Sequence, residues 1–448
     1  MICQPMTLKM FQSNFYNLPN DERSGMQPQT LRSRSRVQDE DRRRGGSFAR
    51  VIFLVWPFGS LAFTAYHLRS SWAKNIVWLF VIFFGLTFVI SNPKIDANRY
   101  NDKLQEMGDH DYTFQTLGHQ LYRDTEYVDV LQPLLTFVVS RFTSDYRVLF
   151  AAFGLIFGYF YSRNIWYLID RTSGRFKWYG VTLLIIFTVI NGFWNINGFR
   201  FWTAAHIFVF GVLHYLETGK AKHLFLTILT VFVHFSFFFP VLVFLLYLAG
   251  GNRKHLYFYF FLLTFTFSEA SLTQVREYLS FLPSIFEAKV SNYTSDVYEQ
   301  VLNERKSLLN WYVQYYGAAL RYVVLVWLAW IYFQGGAFIR EHAFAGKLFS
   351  FVLLLYALSN LGSLIPSGNR FIVLSNLFAV ALIFWYYHSN RQPGWINRIA
   401  VLSMPALALY FLISVRIGLD MMGVQMLVGN PVTAIFFRDE TPLVDWIR

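Results

Sequence analysis

From Val51 to Arg416 the chain alternates between long apolar runs and short polar breaks. A bilayer crossing needs about 20 apolar residues in a helix, and runs near that length recur too often for a soluble core. The pattern predicts spans at Val51–Tyr66, Asn75–Ser91, Arg147–Ser162, Trp178–Trp194, Phe199–Glu217, Leu224–Leu248, Leu256–Ala270, Trp311–Phe333, Lys347–Leu364, Phe371–His388 and Ile399–Val415. An all-α polytopic integral membrane protein with about 11–12 transmembrane helices follows. "LQPLLTFVVSRF", Leu131 to Phe142, is too short to cross and reads as a re-entrant or surface helix.

One run fits poorly. As a single helix, Leu224–Leu248 would be about 38 Å long, too much for one upright crossing. "HFS" (His234 to Ser236) and Pro240 interrupt it. The expectation is two short helices in a hairpin, with the His234 turn near one membrane face.

With that hairpin, the polar breaks sort by charge. Arg163–Lys177, Lys220–Lys222, Arg253–Lys254, Arg340–Lys347 and Arg391–Arg398 fall on one side, which the positive-inside rule makes cytoplasmic. Asn92–Tyr146, with nine Asp/Glu against five Lys/Arg, and Ser271–Asn310 fall on the other. Three regions result: a basic N-terminal tail over 1–50 expected to be disordered, a transmembrane domain over 51–416 with external loops 92–146 and 271–310, and a C-terminal tail over 417–448. The tail carries nine Lys/Arg against five Asp/Glu and lacks the layout of a signal peptide. If Val51–Tyr66 crosses, this basic tail lies outside, against the charge rule. Either the tail extends upstream of the true start, or the first run does not cross.

Composition narrows the chemistry. The 448 residues are 55% hydrophobic and 20% aromatic, so the net charge of +12 reads as cytoplasmic loop charge rather than as a nucleic-acid footprint. The single cysteine, Cys3, excludes an intramolecular disulfide and argues against a thiolate metal site. No P-loop, GxGxxG or HExxH motif is present, and neither a cofactor nor a metal is expected. "GDHDY", Gly108 to Tyr112, is too weak a signal for a cation site. The GxxxG of Gly154 to Gly158 lies in an apolar helix and predicts close helix packing.

Two stretches share a feature that packing does not require. "NGFRFWTAAHIFVF" (Asn197 to Phe210) and "SGNRFIVLSNLFAV" (Ser367 to Val380) each place an arginine, after small polar residues, at the start of an apolar helix. On the topology above, Arg200, Arg370 and the His234 turn all lie on the outer face. Lysine and arginine often snorkel at helix ends. Helix starts also supply free backbone N–H groups and a positive dipole end, and an added cation makes an anion site. Two such sites on one face point to a substrate bearing phosphates.

The segment "INGFRFWTAAHIFVFGVLHYLETGKAKHLFLTILTVFVHFSFFFPVLVFLLY", Ile196 through Tyr247, resembles the core of the EpsG family of bacterial polysaccharide polymerases, relatives of the Wzy-type O-antigen polymerases. The shared pattern is an arginine opening a helix (Arg200), a basic break (Lys220 to Lys222), and an apolar helix ending in histidine and a small residue (His234, Ser236). "DANRY", Asp96 to Tyr100, resembles the motif of the family's first external loop, and "SGNRF", Ser367 to Phe371, a second arginine site. The resemblance covers roughly Trp72 to Val415. It implies a GT-C-like helical fold in the bacterial inner membrane. It also implies polymerisation, at the periplasmic face, of oligosaccharide units carried on undecaprenyl diphosphate for capsule, exopolysaccharide or O-antigen. A flippase and a chain-length regulator are the partners it implies beside the bilayer.

In that reaction the departing diphosphate gains negative charge, which Arg200 and Arg370 suit, since guanidinium binds phosphate through paired donors. The attacking hydroxyl needs a proton acceptor, and His234 is the first candidate. Asp96, Asp124, Glu126 and Asp129 are alternative bases. Arg99, Tyr100, His206 and Tyr312 complete the expected substrate-binding set; Tyr312, with Tyr315 and Tyr316, also fits an interfacial aromatic belt. A lipid-linked oligosaccharide flippase needs the same cations but should carry them at the midplane within repeated halves. An O-antigen-type ligase shares nearly every feature of a polymerase.

Overall fold

The computed structural model describes residues 45–91, 95–109, 112–122, 129–266, 310–364, 367–389 and 394–446. Those residues are helical apart from turns and one isolated antiparallel bridge, Phe88 with Met422. The helices are α1 (Gly45–Val55), α2 (Pro57–Tyr66), α3 (Ala73–Leu86), α4 (Asp96–Met107), α5 (Phe114–Tyr122), α6 (Leu131–Ser140), α7 (Tyr146–Ile169), α8 (Trp178–Ile190), α9 (Phe199–Thr218), α10 (Ala221–Val233), α11 (Phe238–Gly250) and α12 (Lys254–Thr266). After the external segment come α13 (Trp311–Gln334), α14 (Gly336–Glu341), α15 (Ala343–Gly362), α16 (Asn369–His388), α17 (Gly394–Leu419), α18 (Val424–Val428) and α19 (Pro431–Phe436).

The protein is an all-α polytopic membrane protein. Six helical stretches among the described residues are long and apolar enough to cross: Tyr146–Ile169, Trp178–Thr218, Trp311–Gln334, Ala343–Gly362, Asn369–His388 and Gly394–Leu419. The second of these is two helices, α8 and α9, joined by a 3₁₀ turn at Phe193–Gly198. Shorter apolar helices, α1, α3, α6, α10 and α11 among them, fill out the bundle.

Helix ends gather on two faces. At one, Arg171 pairs with Glu217, Lys177 donates to the carbonyls of Tyr387 and Ser389, and Lys347 donates to that of Leu216. These bonds join the ends of α7, α9 and α16 to the starts of α8 and α15. The opposite ends of the same helices carry Arg147, Arg200 and Arg370. The basic stretches around Arg171, Lys177 and Lys347 thus share a face. Arg163 lies inside α7 rather than in a loop, stacked between Trp78 and Tyr159 and bonded to Asn75.

The expected Val51–Tyr66 crossing does not form as one helix. It breaks at Trp56, where Pro57 cannot donate to the preceding turn and instead starts α2. Helices α1 and α2 run antiparallel: Ser60 Oγ donates to the Ala49 carbonyl, and the rings of Phe48 and Phe63 lie 5.4 Å apart. Gly45 and Gly46 sit against Trp72, while Arg69 donates to the carbonyls of Thr172 and Gly174. Both ends of this hairpin therefore lie on the basic face, so Val51–Tyr66 does not make a single crossing.

The predicted break at His234 does form. α10 packs along α9 back to its start, and α11 returns toward the basic face, where Tyr247 meets Phe351 of α15. The GxxxG also packs as predicted. A Cβ on Gly154 would lie 2.6 Å from the Val81 carbonyl oxygen, and one on Gly158 2.8 Å from Val81 Cβ. Gly85 of α3 answers from the other side, with only 2.3 Å to the Phe150 carbonyl oxygen, so neither helix tolerates a side chain at the crossing.

One feature escaped the pattern. Residues 417–446 are not a plain tail: α18, α19 and a 3₁₀ turn at Leu443–Trp446 pack on the face opposite the basic one. The buried Arg147 side chain donates to the carbonyls of Ala434 (2.6 Å), Phe437 (2.9 Å) and Ile435 (3.3 Å), closing the end of α19. On the same side α6 is helical, as expected, and packs on α4 through Ser140 Oγ and the Met107 carbonyl. The segment 271–309 lies outside the described residues.

Candidate functional site

Four chain segments meet around the start of α9, at the face opposite the basic one. The 3₁₀ turn before α9 ends in Asn197 and Gly198, so Arg200 sits in the first turn of the helix. α4 is fastened beside it, because Asn197 Oδ1 accepts the Ala97 N–H at 3.1 Å. The His234 turn comes from below, its ring edge-on to Phe201 at 5.4 Å. α16 brings Arg370, whose guanidinium lies 5.5 Å from the Phe201 ring centroid.

Between these segments lies a cavity of about 150 Å³ lined by Asp96, Tyr100, Asn195, Asn197, Gly198, Arg200, Phe201, Trp202, His234 and Arg370. Its lining of two arginines and several polar side chains suits an anion such as a phosphate group. Five residues singled out in the sequence thus line one site: Arg200, Arg370, His234, Asp96 and Tyr100.

The two arginines are held differently. Arg200 is partly buried and pairs with Asp129 at 3.1 Å. Asp129 is buried, 4% exposed, and its other oxygen accepts the Phe235 N–H at 2.7 Å. The next residue, Val130, donates its N–H to the Phe232 carbonyl at 2.9 Å. One carboxylate therefore locks Arg200 to the His234 turn. Arg370 is exposed and faces no carboxylate within ion-pair distance among the described residues. Ser367, three residues earlier, takes a left-handed conformation (φ 66°), uncommon for a residue with a side chain.

Burial holds the His234 imidazole down to about 4; Asp129 opposes this, and Arg200 and Arg370 reinforce it. The ring is neutral at pH 7. Burial pushes the Tyr100 hydroxyl up, against the pull of the Arg200 charge, so it stays protonated beside the guanidinium.

Several expected site residues lie elsewhere. His206 is 1% exposed, and the cavity does not reach it. Its ring bonds the Asn191 carbonyl (3.1 Å) and Asn164 Nδ2 (3.3 Å), which makes it a satisfied core histidine in the middle of α9. Asp129 does not line the cavity and has no free oxygen to act as a base. Arg99 points to solvent on α4, its side chain 74% exposed, with only Asp96 nearby at 3.6 Å. Tyr312 lies at the start of α13, bonded to Asn310 and away from the cavity. Asp124 and Glu126 fall outside the described residues.

Asn195, Asn197 and Trp202 were not singled out, although they line the site. Their signal was present in "WNINGFR", where two asparagines precede the arginine within a tight break. Arg321 was also missed. It lies ten residues inside α13, donating to Asn360 Oδ1 at 3.0 Å with its Nε unpartnered, and a cation inside an apolar helix is a signal in itself. No group of three metal-ligating side chains occurs among the described residues.

Compared with protein-family models, curated proteins and solved structures, the chain matches none. What it does must be reasoned from the site.

Proposed function

We propose that the protein is a membrane glycosyltransferase of the polysaccharide-polymerase kind, joining oligosaccharide units carried on undecaprenyl diphosphate at the periplasmic face of a bacterial inner membrane. One observation carries this reading. Arg200 and Arg370, 170 positions apart in the chain, converge on a single small polar cavity at the less basic face. Snorkelling arginines would point separately toward head groups; these two flank one polar cavity. Their placement at the membrane face, rather than at the midplane, supports transfer between lipid-linked units over transport across the bilayer. The resemblance of Ile196–Tyr247, Asp96–Tyr100 and Ser367–Phe371 to the polymerase family agrees in naming the same residues. The expected result of deleting the gene is accumulation of single repeat units on lipid and loss of long polymer. Normal chain length in the deletion strain, with no second polymerase present, overturns the proposal. Loss of polymer from the final acceptor, with long chains still on lipid, would identify a ligase instead.

A further inference from the structure

The hydrogen bonds of His234 fix where its proton sits. Its Nδ1 accepts the backbone N–H of Ser236 at 3.1 Å and lies 2.8 Å from Ser236 Oγ. A main-chain N–H can only donate, so Nδ1 is the bare nitrogen, and the neutral ring carries its proton on Nε2. The ring lines the cavity with Nδ1 turned onto its own turn, leaving Nε2 as the polar atom it offers there. The turn cannot readily rotate to reverse this. Its Phe235 N–H is held by buried Asp129, and the His234 N–H by the Thr230 carbonyl at 3.0 Å.

With its hydrogen on Nε2 the ring offers the cavity no lone pair to accept a proton, since the bare nitrogen, Nδ1, is engaged by Ser236. Burial and two neighbouring arginines oppose a positive charge on the ring, and together they outweigh Asp129 and Asp96, which favour it. We propose that His234 is not the base but a fixed N–H donor to a phosphate oxygen, completing an anion cradle with Arg200 and Arg370. The Ser236 backbone N–H is the group that positions it. This rests on the reading of the cavity as a diphosphate site. It also reassigns the proton. As the donor sugar's anomeric carbon leaves its phosphate oxygen, that oxygen keeps the electron pair and receives hydrogen bonds from Arg200, Arg370 and His234. The acceptor hydroxyl oxygen forms the new bond to the anomeric carbon. Its proton passes to Asp96, the carboxylate lining the cavity.

The test separates a donor from a base. Glutamine reaches about as far as Nε2 and offers an N–H there but has no basic nitrogen; alanine offers neither. The full-length protein in detergent is titrated with inorganic pyrophosphate by calorimetry at pH 7.5. Binding is expected to weaken roughly tenfold in H234A, as for loss of one hydrogen bond to a charged group. H234Q should restore it to within about threefold of wild type. Polymer formation in cells should follow the same order. H234Q as weak as H234A, H234A equal to wild type, or wild type that does not bind pyrophosphate each overturns the proposal. If H234A does not fold, H234Q against wild type decides alone: binding kept with polymer abolished restores the base. Failure of the polymerase reading would look different, as normal polymer in the deletion strain with the pyrophosphate results unchanged.

Discussion

At the residue scale, Arg200 and Arg370 have similar sequence settings but different surroundings. Arg200 is clamped by Asp129, whereas Arg370 is exposed and restrained chiefly by its helix start and the Phe201 ring. If each only snorkelled, lysine would replace it at little cost. If each holds phosphate, lysine loses the planar pair of donors. Arg200→Lys and Arg370→Lys are then expected to lower the rate of polymer formation at matched membrane abundance by about 2–4 kcal/mol of transition-state stabilisation. That is roughly a thirtyfold to several-hundredfold fall. Near-normal polymer from both would leave the arginines as anchors. Helix starts and the turn made the two cations and His234 legible in the amino-acid sequence, while Asp96 and Tyr100 were singled out through the resemblance of "DANRY" to a family motif. The part of Asp129 was not readable there, because its second partner is a backbone N–H 106 positions away, at Phe235. The core role of His206 was hidden too: its bonds to Asn191 and Asn164 depend on helix packing, which spacing along α9 does not reveal.

At the scale of elements, apolar run length located most helices, and local chemistry located their breaks. The histidine break between α10 and α11 was visible because one run was too long. The break at Trp56 was not, because the run Val51–Tyr66 has the length of an ordinary crossing and only Pro57 marks the turn. The docking of α19 was likewise unreadable, since Arg147 looks like any arginine at a helix start. That dock yields a pH prediction. Burial pushes the Asp145 carboxyl up, but hydrogen bonds and charge from Arg147 outweigh burial and hold it below its ordinary 3.8. A carboxylate lowered in this way stabilises the fold above its unfolded value, and that contribution is lost as pH falls through the folded one. The excess thermal stability of wild type over Asp145→Asn should therefore be full near neutrality and close below about pH 4. Thermal unfolding of both proteins in detergent from pH 7 to pH 3 measures it; an excess unchanged over that range rules out the ion pair as its source.

At the scale of the whole molecule, the bundle has one basic face tied by Arg171, Lys177 and Lys347, and an opposite face bearing the cavity, α4 to α6 and the docked C-terminal helices. Loop charge alone assigned the first face to the cytoplasm. The α1–α2 hairpin brings both of its ends, Gly45 and the Arg69 region, to that basic face. Three exposed positions test this arrangement together: Ser47 at the start of α1, Ser173 after α7, and Thr113 before α5. Each is changed to cysteine in a chain whose native Cys3 is replaced by serine, and intact spheroplasts are treated with a membrane-impermeant thiol reagent. Thr113→Cys is expected to label, while Ser47→Cys and Ser173→Cys label only after the membrane is opened. The pairing matters more than any one result. If α1 and α2 together made a single crossing, Ser47 would label with Thr113; if the hairpin is right, it follows Ser173. Labelling of Ser173 without Thr113 would invert the whole molecule, place the two-arginine cavity in the cytoplasm and overturn the proposed periplasmic site.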